Sequence, residues 1–311
     1  MDRAVTILAV TAALTAPFVL DGFATYQLTL AACSAIAILG LNLLIGFNGQ
    51  FSLGHGAFYG LGGYVAAVAT SRWGVSAYAS IPAAGLVCFA VGFLVGLPTR
   101  NLPFLSLALA TYAVAMAMPQ LLKSSLLARW TGGVQGLYLD RPAPPFGLPV
   151  TDDQWWYFVT LFALLPLFWL ARNLVRSRTG RALRAIRDNP IAAGCSGVNL
   201  TLYKSFAFGT SACCAGVAGA LAAFRMDFVA PDSFTWALSL RLLIGAVAGG
   251  IDSLWGAIAG GLFIQYLPDL AGAVSKNLAY PVYGAVLLLT IWVMPGGAAG
   301  LVRAAAARAE R

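Results

Sequence analysis

Apolar runs about as long as a bilayer is thick constrain this chain more than any other feature. They occupy residues 4–20, 28–46, 57–70, 77–97, 104–122 and 155–170 and, after a long polar stretch, 206–224, 242–267 and 282–301. A helix needs about 20 residues, with a range near 17–25, to cross the hydrocarbon core. On that measure 57–70 is short and 242–267 is long. The latter is interrupted at Gly249-Gly250-Ile251-Asp252 and reads as two short, discontinuous segments. The expected fold is all-α: a polytopic membrane helix bundle with interrupted helices and about ten transmembrane segments, or about eight on a stricter reading. Residues 1–311 form a single transmembrane domain on this reading.

Composition agrees. The chain is 60% hydrophobic and 10% charged, with a mean hydropathy of +0.81. Soluble proteins run at about 45–50% and about 25%. Two soluble domains are thereby excluded, as is an acidic disordered tail, since Asp and Glu total 11. The net charge of +8 suggests nucleic acid at first sight, but the positive charges fall in the gaps between apolar runs. Five cysteines make no disulfide framework. Cys33, Cys88, Cys213 and Cys214 read as small buried hydrophobes, and Cys195 lies beside an arginine cluster. Asp2 offsets Arg3, so the first run reads as a retained span and not a signal peptide.

Lysine and arginine set orientation, because cytoplasmic loops carry the excess. Arg172, Arg176, Arg178, Arg181, Arg184, Arg187 and Lys204 crowd the loop 171–204, which is expected inside. Counting spans outward puts both termini inside. Arg3, Arg100, Arg303, Arg308 and Arg311 then join the inside set, against Arg72, Lys123, Arg129, Arg141, Arg225, Arg241 and Lys276 outside. The outside loop 123–153 holds Thr131-Gly132-Gly133, Arg141-Pro142-Ala143-Pro144-Pro145 and Asp152-Asp153, turn formers that mark ordered, irregular chain. Trp155-Trp156-Tyr157 follows as an expected interfacial aromatic belt. A loop of that length either binds something or is a passive surface connection.

From Leu41 the chain reads LNLLIGFNGQFSLGHGAFYGLGGYVAA, with seven glycines between Gly46 and Gly63. Gly56, Gly60, Gly62 and Gly63 give small faces on which helices approach closely. Embedded among the glycines are Asn42, Asn48, Gln50, Ser52 and His55. Polar side chains and non-helical backbone at membrane depth need protein or a watery cavity around them. Two readings stand. These residues line or gate a translocation path, with Gly46, Gly49 and Gly54 breaking the helix, or they only hydrogen-bond neighbouring helices. His55, the single histidine, is open to both, and one histidine supplies no metal ligand set.

Leu242-Leu243-Ile244-Gly245 echoes Leu43-Leu44-Ile45-Gly46, and a glycine break and a Ser-Leu pair follow each. An internally duplicated transporter with interrupted helices would show this pattern; chance similarity is the alternative. Asp252, beside Gly249 and Gly250, is the one acid within an apolar run. It either serves transport or caps a helix at the break.

In the basic loop, Arg181, Arg184 and Arg187 share an arc of about 120° on a helical projection, and Ala182, Leu183, Ala185 and Ile186 fill the other side. Thr179 is the expected cap, and Pro190 stops the helix. Such a short amphipathic helix rests on anionic lipid or docks on a partner protein. The only lysines, Lys123, Lys204 and Lys276, follow Leu122, Tyr203 and Ser275, so no phosphate-binding GxxxxGK[ST] loop exists in the chain. Neither a GxSxG elbow nor an HExxH pair is present. No catalytic residue and no cofactor are expected.

Five stretches in order resemble one family. Gly49-Gln50-Phe51-Ser52-Leu53-Gly54-His55, within residues 40–64, resembles the hallmark of LivM-type permeases, membrane subunits of branched-chain amino acid ABC importers. Thr131-Gly132-Gly133-Val134-Gln135-Gly136-Leu137 resembles their external motif. The run from Gly180 to Asn189, with Ala192, Ala193 and Gly197, resembles the cytoplasmic coupling loop. Gly249-Gly250-Ile251-Asp252-Ser253-Leu254-Trp255-Gly256 resembles the late glycine motif, and Met294-Pro295-Gly296-Gly297 the exit motif. Asp252 stands where the family usually has glycine, Pro190 where it has an acid, and Gly296 where it has arginine.

The resemblance implies a permease subunit in the bacterial inner membrane. Two separate P-loop ATPase subunits would be its partners, with Arg181, Arg184, Arg187, Asp188, Ala192, Ala193 and Gly197 in the coupling loop that meets them. A second, LivH-like permease chain and a periplasmic substrate-binding protein would complete the system. The expected solute is a branched-chain amino acid, although the family also serves urea, short amides and aromatic acids. The rival from the residues alone is an ion-coupled secondary transporter working without an ATPase, for which only Asp252 and His55 are available as proton carriers.

Overall fold

The computed structural model describes residues 11, 13–101, 103–144, 150–274, 284, 297, 298 and 300. Helix α1 is Gly22–Asn42 and runs on through a π-helical turn, Leu43–Phe47; α2 is His55–Trp73, α3 Ala77–Gly96 and α4 Phe104–Lys123. Then come α5 (Ser125–Thr131), α6 (Asp152–Arg176), α7 (Arg178–Asp188), α8 (Pro190–Cys195), α9 (Leu200–Met226), α10 (Trp236–Gly249) and α11 (Leu254–Val274). Ahead of α1, residues 13–19 are helical and lie along α6, where Tyr157 Oη donates to Ala13 O at 2.8 Å. Most of the expected run 282–301, with Met294, Pro295 and Gly296, lies outside the described residues, as do Lys276 and the terminal arginines.

The fold is an all-α, multi-pass membrane architecture. Among the described residues, five helical stretches are long and apolar enough to cross a membrane: Gly22–Phe47, Ala77–Thr99, Leu105–Lys123, Asp152–Arg176 and Leu200–Met226. The glycine-rich α2 has 19 residues. Helix α10 has only 14, about 21 Å at the helical rise of about 1.5 Å, which is short of a core about 30 Å thick.

Helix α9 stands at the centre, buried along most of its length against α1, α2 and α3. Its small residues make that possible. A Cβ on Gly62 of α2 would enter the backbone of Gly216 in α9, and a Cβ on Gly216 would lie 2.5 Å from Cys88 Sγ of α3. On the α1 side, Gly40 would meet Cys214 Cβ at 2.8 Å. Close approach through small residues is how helices associate where lipid is as apolar as leucine. Cys33, Cys88 and Cys214 are buried and free, as expected, and Cys195 is exposed.

The bundle has two distinct ends. One gathers α7, α8, the π-helical turn and the segments 48–54 and 250–253. The other carries α5 and an antiparallel pair of two-residue strands, β1 (Leu137–Tyr138) and β2 (Phe228–Val229). There Arg225, 4% exposed, pairs with Asp153 at 2.8 Å and lies 4.1 Å over the Tyr26 ring, so α9, α6 and α1 are clamped together.

The structure corrects several expectations. Trp156 and Tyr157 are buried and form no interfacial belt; Trp156 stacks on Phe224 at 5.2 Å. The reason is that both rings face neighbouring helices: Trp156 also stacks on Tyr78, and Tyr157 Oη reaches Ala13 O. Arg241 lies within α10 and not in an outer loop. The cap of α7 is Ser177, whose side chain accepts from Gly180 N, in place of Thr179. Pro190 ends one helix and opens another, since Asn189 accepts from Ile191 N and Ala192 N to cap α8. The strand pair was not anticipated; it is short, and Gly136 (φ +72°) places its missing side chain where Val229 O stands.

Because Gly216 is pinned from two sides, Gly216→Val should cost about 1–3 kcal/mol or more. Gly194→Ala, whose Cβ would stand 3.7 Å from Leu200 Cδ1, should change stability by less than about 0.5 kcal/mol. Thermal unfolding of the detergent-purified chain measures both, and equal melting temperatures would contradict the packing described.

Candidate functional site

The two helix breaks foreseen in the sequence meet in space. The first follows the π-helical turn Leu43–Phe47 and covers 48–54 before α2 opens at His55. Turns of this kind interrupt the α-helical hydrogen-bond pattern and often mark functional positions. The second lies between Gly249 and Leu254, with Gly250 at φ +109°. Asn42 Nδ2 donates to Ser253 O at 2.9 Å and to Gly250 O at 3.3 Å. Gly46 lies so close to Ile251 O that a Cβ would overlap it. Ser253 N also donates to Gly250 O at 3.2 Å, so the end of α1 supplies the side-chain donor for Ser253 O, a second one for Gly250 O, and the space beneath Ile251 O.

Of the remaining polar residues of the glycine segment, Gln50 and His55 bond to neighbouring helices, and Asn48 and Ser52 bond within the segment. Asn48 Nδ2 donates to Gln50 Oε1 at 2.6 Å, Gln50 Nε2 to Thr99 Oγ1 at 2.8 Å, and Thr99 Oγ1 to Gly96 O at 2.6 Å. Ser52 Oγ accepts from Gly54 N at 3.2 Å. Ser211 Oγ donates to Gly40 O at 2.6 Å and lies 2.6 Å from His55 Nε2. A hydroxyl has one proton, so with Gly40 O receiving it, His55 Nε2 must be the donor and its Nδ1 carries none. Nδ1 is buried without a hydrogen-bond partner. Asn42, Asn48, Gln50, Ser52 and His55 are all buried. They frame the breaks, and the Asp252 side chain is 69% exposed.

The amphipathic helix α7 seats directly against these breaks. Leu183 and Ile186 are buried beneath it. Arg187 Nη1 donates to Gly46 O and meets Asp252 Oδ1 at 2.9 Å. Arg184 donates to Val175 O at 3.4 Å and lies 5.4 Å over the Phe47 ring. The structure therefore turns Arg184 and Arg187 toward the chain itself. Arg181, Asp188 and Ala192 are exposed, Ala193 is buried, and Gly197 turns the chain at φ +82°. Ile191, at 78% exposed, is the large apolar side chain that α8 presents outward.

Thr99, Thr111, Ser211 and Ser239 were not singled out in the sequence. Thr111 Oγ1 accepts from Leu53 N at 3.0 Å and Ser239 Oγ from Gly56 N at 2.8 Å, which ties α4 and α10 to the start of α2. A serine or threonine in an apolar run ordinarily bonds its own helix backbone, so its sequence neighbours give no signal of such a role.

The family model described as "Branched-chain amino acid transport system / permease component" matches residues 23–291. Among curated relatives, the high-affinity branched-chain amino acid transport system permease protein LivM of Salmonella typhimurium is 30% identical over 299 residues, 89% of this chain and 70% of the relative. LivM of Escherichia coli K12 matches with the same identity and coverage. The probable branched-chain amino acid transport permease protein LivH of Methanocaldococcus jannaschii is 27% identical over 274 residues, 82% of this chain and 83% of the relative. No solved structure matches the chain.

Asn42→Leu strips the carbonyls of Gly250 and Ser253 of their side-chain donor while keeping the volume. Gly250 O keeps its bond from Ser253 N, but Ser253 O loses its side-chain donor; leaving a buried acceptor unpaired costs about 1–3 kcal/mol, so the melting temperature of the purified chain should fall. An unchanged melting temperature would show that the breaks do not depend on each other.

Proposed function

The chain belongs to the family of branched-chain amino acid transport permease components, and on that premise we propose how it works within its transporter. It is the permease component of a branched-chain amino acid ABC transport system and has no catalytic activity of its own. The assembly we propose adds two P-loop ATPase subunits, a second LivH-like permease and a periplasmic substrate-binding protein. The chain sits in the bacterial inner membrane with ten segments and both termini cytoplasmic. The solute is an aliphatic branched-chain amino acid, handed over by the binding protein at the β1–β2 end.

The outward face of α7 and α8 supports this reading most directly. Side-chain caps at Ser177 and Asn189 hold two short helices in fixed geometry, and they present Arg181 and Ile191 to solvent. An exposed isoleucine and an exposed guanidinium on two capped helices, at the end of the bundle where both helix breaks lie, make a docking platform for a soluble subunit. Helix α10 offers a second surface. Trp236, Leu240 and Arg241 are exposed on it, and a guanidinium among membrane helices is costly in lipid. That face therefore borders the path between the two permeases, with Asp252 at its inner mouth and Asn42, Asn48, Gln50, Ser52 and His55 holding the lining in place.

With the assembled transporter purified by a tag on this chain, Ile191→Glu combined with Arg181→Glu should reduce co-purifying ATPase about tenfold or more, equivalent to about 1.4 kcal/mol or more of binding. Undiminished ATPase would sink the docking assignment. Solute uptake driven by an ion gradient in vesicles holding this chain without any ATPase would overturn the ABC reading itself.

A further inference from the structure

Arg184 and Arg187 lie on the coupling helix, yet their side chains are spent on the permease. Arg187 joins three segments that are far apart in sequence. It belongs to α7, its Nη1 donates to Gly46 O in the π-helical turn, and the same nitrogen meets Asp252 Oδ1 at 2.9 Å in the second break. The Gly46 carbonyl lies where α1 departs from α-helical bonding. The guanidinium thus stands where a helix C-terminus offers partial negative charge, and Asp252 adds a full one.

The glycine segment is shaped to admit this side chain. Gly49 has φ +72°, and a Cβ there would lie 2.9 Å from Arg187 Cγ and 3.4 Å from its Cα and Cβ. A larger residue would be strained by its backbone and would push α7 away. Arg184 holds the same helix one turn earlier, over the Phe47 ring at the end of the turn. The contact is also of a kind that can open and close. The side chains of Arg187 and Asp252 are 37% and 69% exposed, and exposed ion pairs are weak.

We propose that Arg187 and Asp252 form the latch through which movement of α7 reaches both helix breaks at once. Displacement of α7 pulls on Gly46 and Asp252 together, so the two breaks shift as one unit and the inner mouth changes shape. Arg187 is a positioning residue on this account: it touches neither solute nor ATP. The inference rests on the proposed coupling to separate ATPases and adds the residues that carry it.

The test uses the complete transporter in proteoliposomes, with leucine uptake, ATP hydrolysis and co-purified ATPase measured together. Asp252→Asn keeps the size and removes the charge. It should lower ATP-driven uptake about fivefold or more, the lower end of ordinary coupling strengths, while hydrolysis and ATPase content stay within about twofold, too small a change to count as lost coupling. The double variant Arg187→Gln with Asp252→Asn should lose no more uptake than Arg187→Gln alone, because both changes break the same contact. Gly49→Ala should uncouple in the same way as Asp252→Asn.

Wild-type uptake per ATP in Asp252→Asn would overturn the latch, as would loss of ATPase from that variant, because the residue would then serve docking. Additive losses of uptake in Arg187→Gln and Asp252→Asn would also count against it. If the wild-type complex itself shows no ATP-driven uptake, the ABC reading fails first, and the latch with it.

Discussion

Lipid provides no hydrogen bonds, so a membrane helix can be interrupted only where protein or water takes over the freed backbone groups. This chain has two interruptions and sets one against the other. Asn42 serves the carbonyls at Gly250 and Ser253, Gly46 fits beneath Ile251 O, and Arg187 covers Gly46 O from the coupling helix. Each break supplies part of what the other lacks. Neither can be rearranged alone without stranding polar groups, and this mutual dependence makes the pair suited to moving as a unit.

The same constraint accounts for the central helix. Between lipid-soluble helices there is little hydrophobic gain, and close contact must supply the adhesion. Gly62 on Gly216 and Gly216 on Cys88 bring α2, α9 and α3 close enough for that. Two charged pairs sit at the margins of this core. At one margin Arg225 clamps α6 and α1 with Asp153 and Tyr26; at the other Arg187 meets Asp252. Rigid packing in the middle with exchangeable bonds at one end fits a body that pivots and does not melt.

Much of this was legible in the sequence, because the relevant signals are local. Apolar length gave the helices, glycine clusters marked both breaks, and three-residue spacing of arginines gave α7. What sequence could not show was pairing across long separations. The glycine segment at 46–55 and the motif at 249–256 each read as a break, but nothing local says that Asn42 bonds Ser253, 211 residues away. The arginines misled for a related reason. Their periodicity showed a polar face, which looks like a surface for a partner, whereas Arg184 and Arg187 reach back to Phe47, Gly46 and Asp252. Trp156 failed likewise: an aromatic at a span boundary reads as an interfacial anchor, and nothing local says that its ring packs on Phe224, 68 residues away.

The inward turn of those arginines bears on where the energy for transport enters. A transporter that drew on a proton gradient would need a titrating group within the span that the proton can reach. His55 is buried, and its donor hydrogen bond goes to a serine that already serves the α1 backbone. Asp252, the other candidate, is held at the surface by an arginine of α7. Both groups bind parts of the machine to one another. An acid whose partner belongs to α7 is placed to respond to movement of that helix.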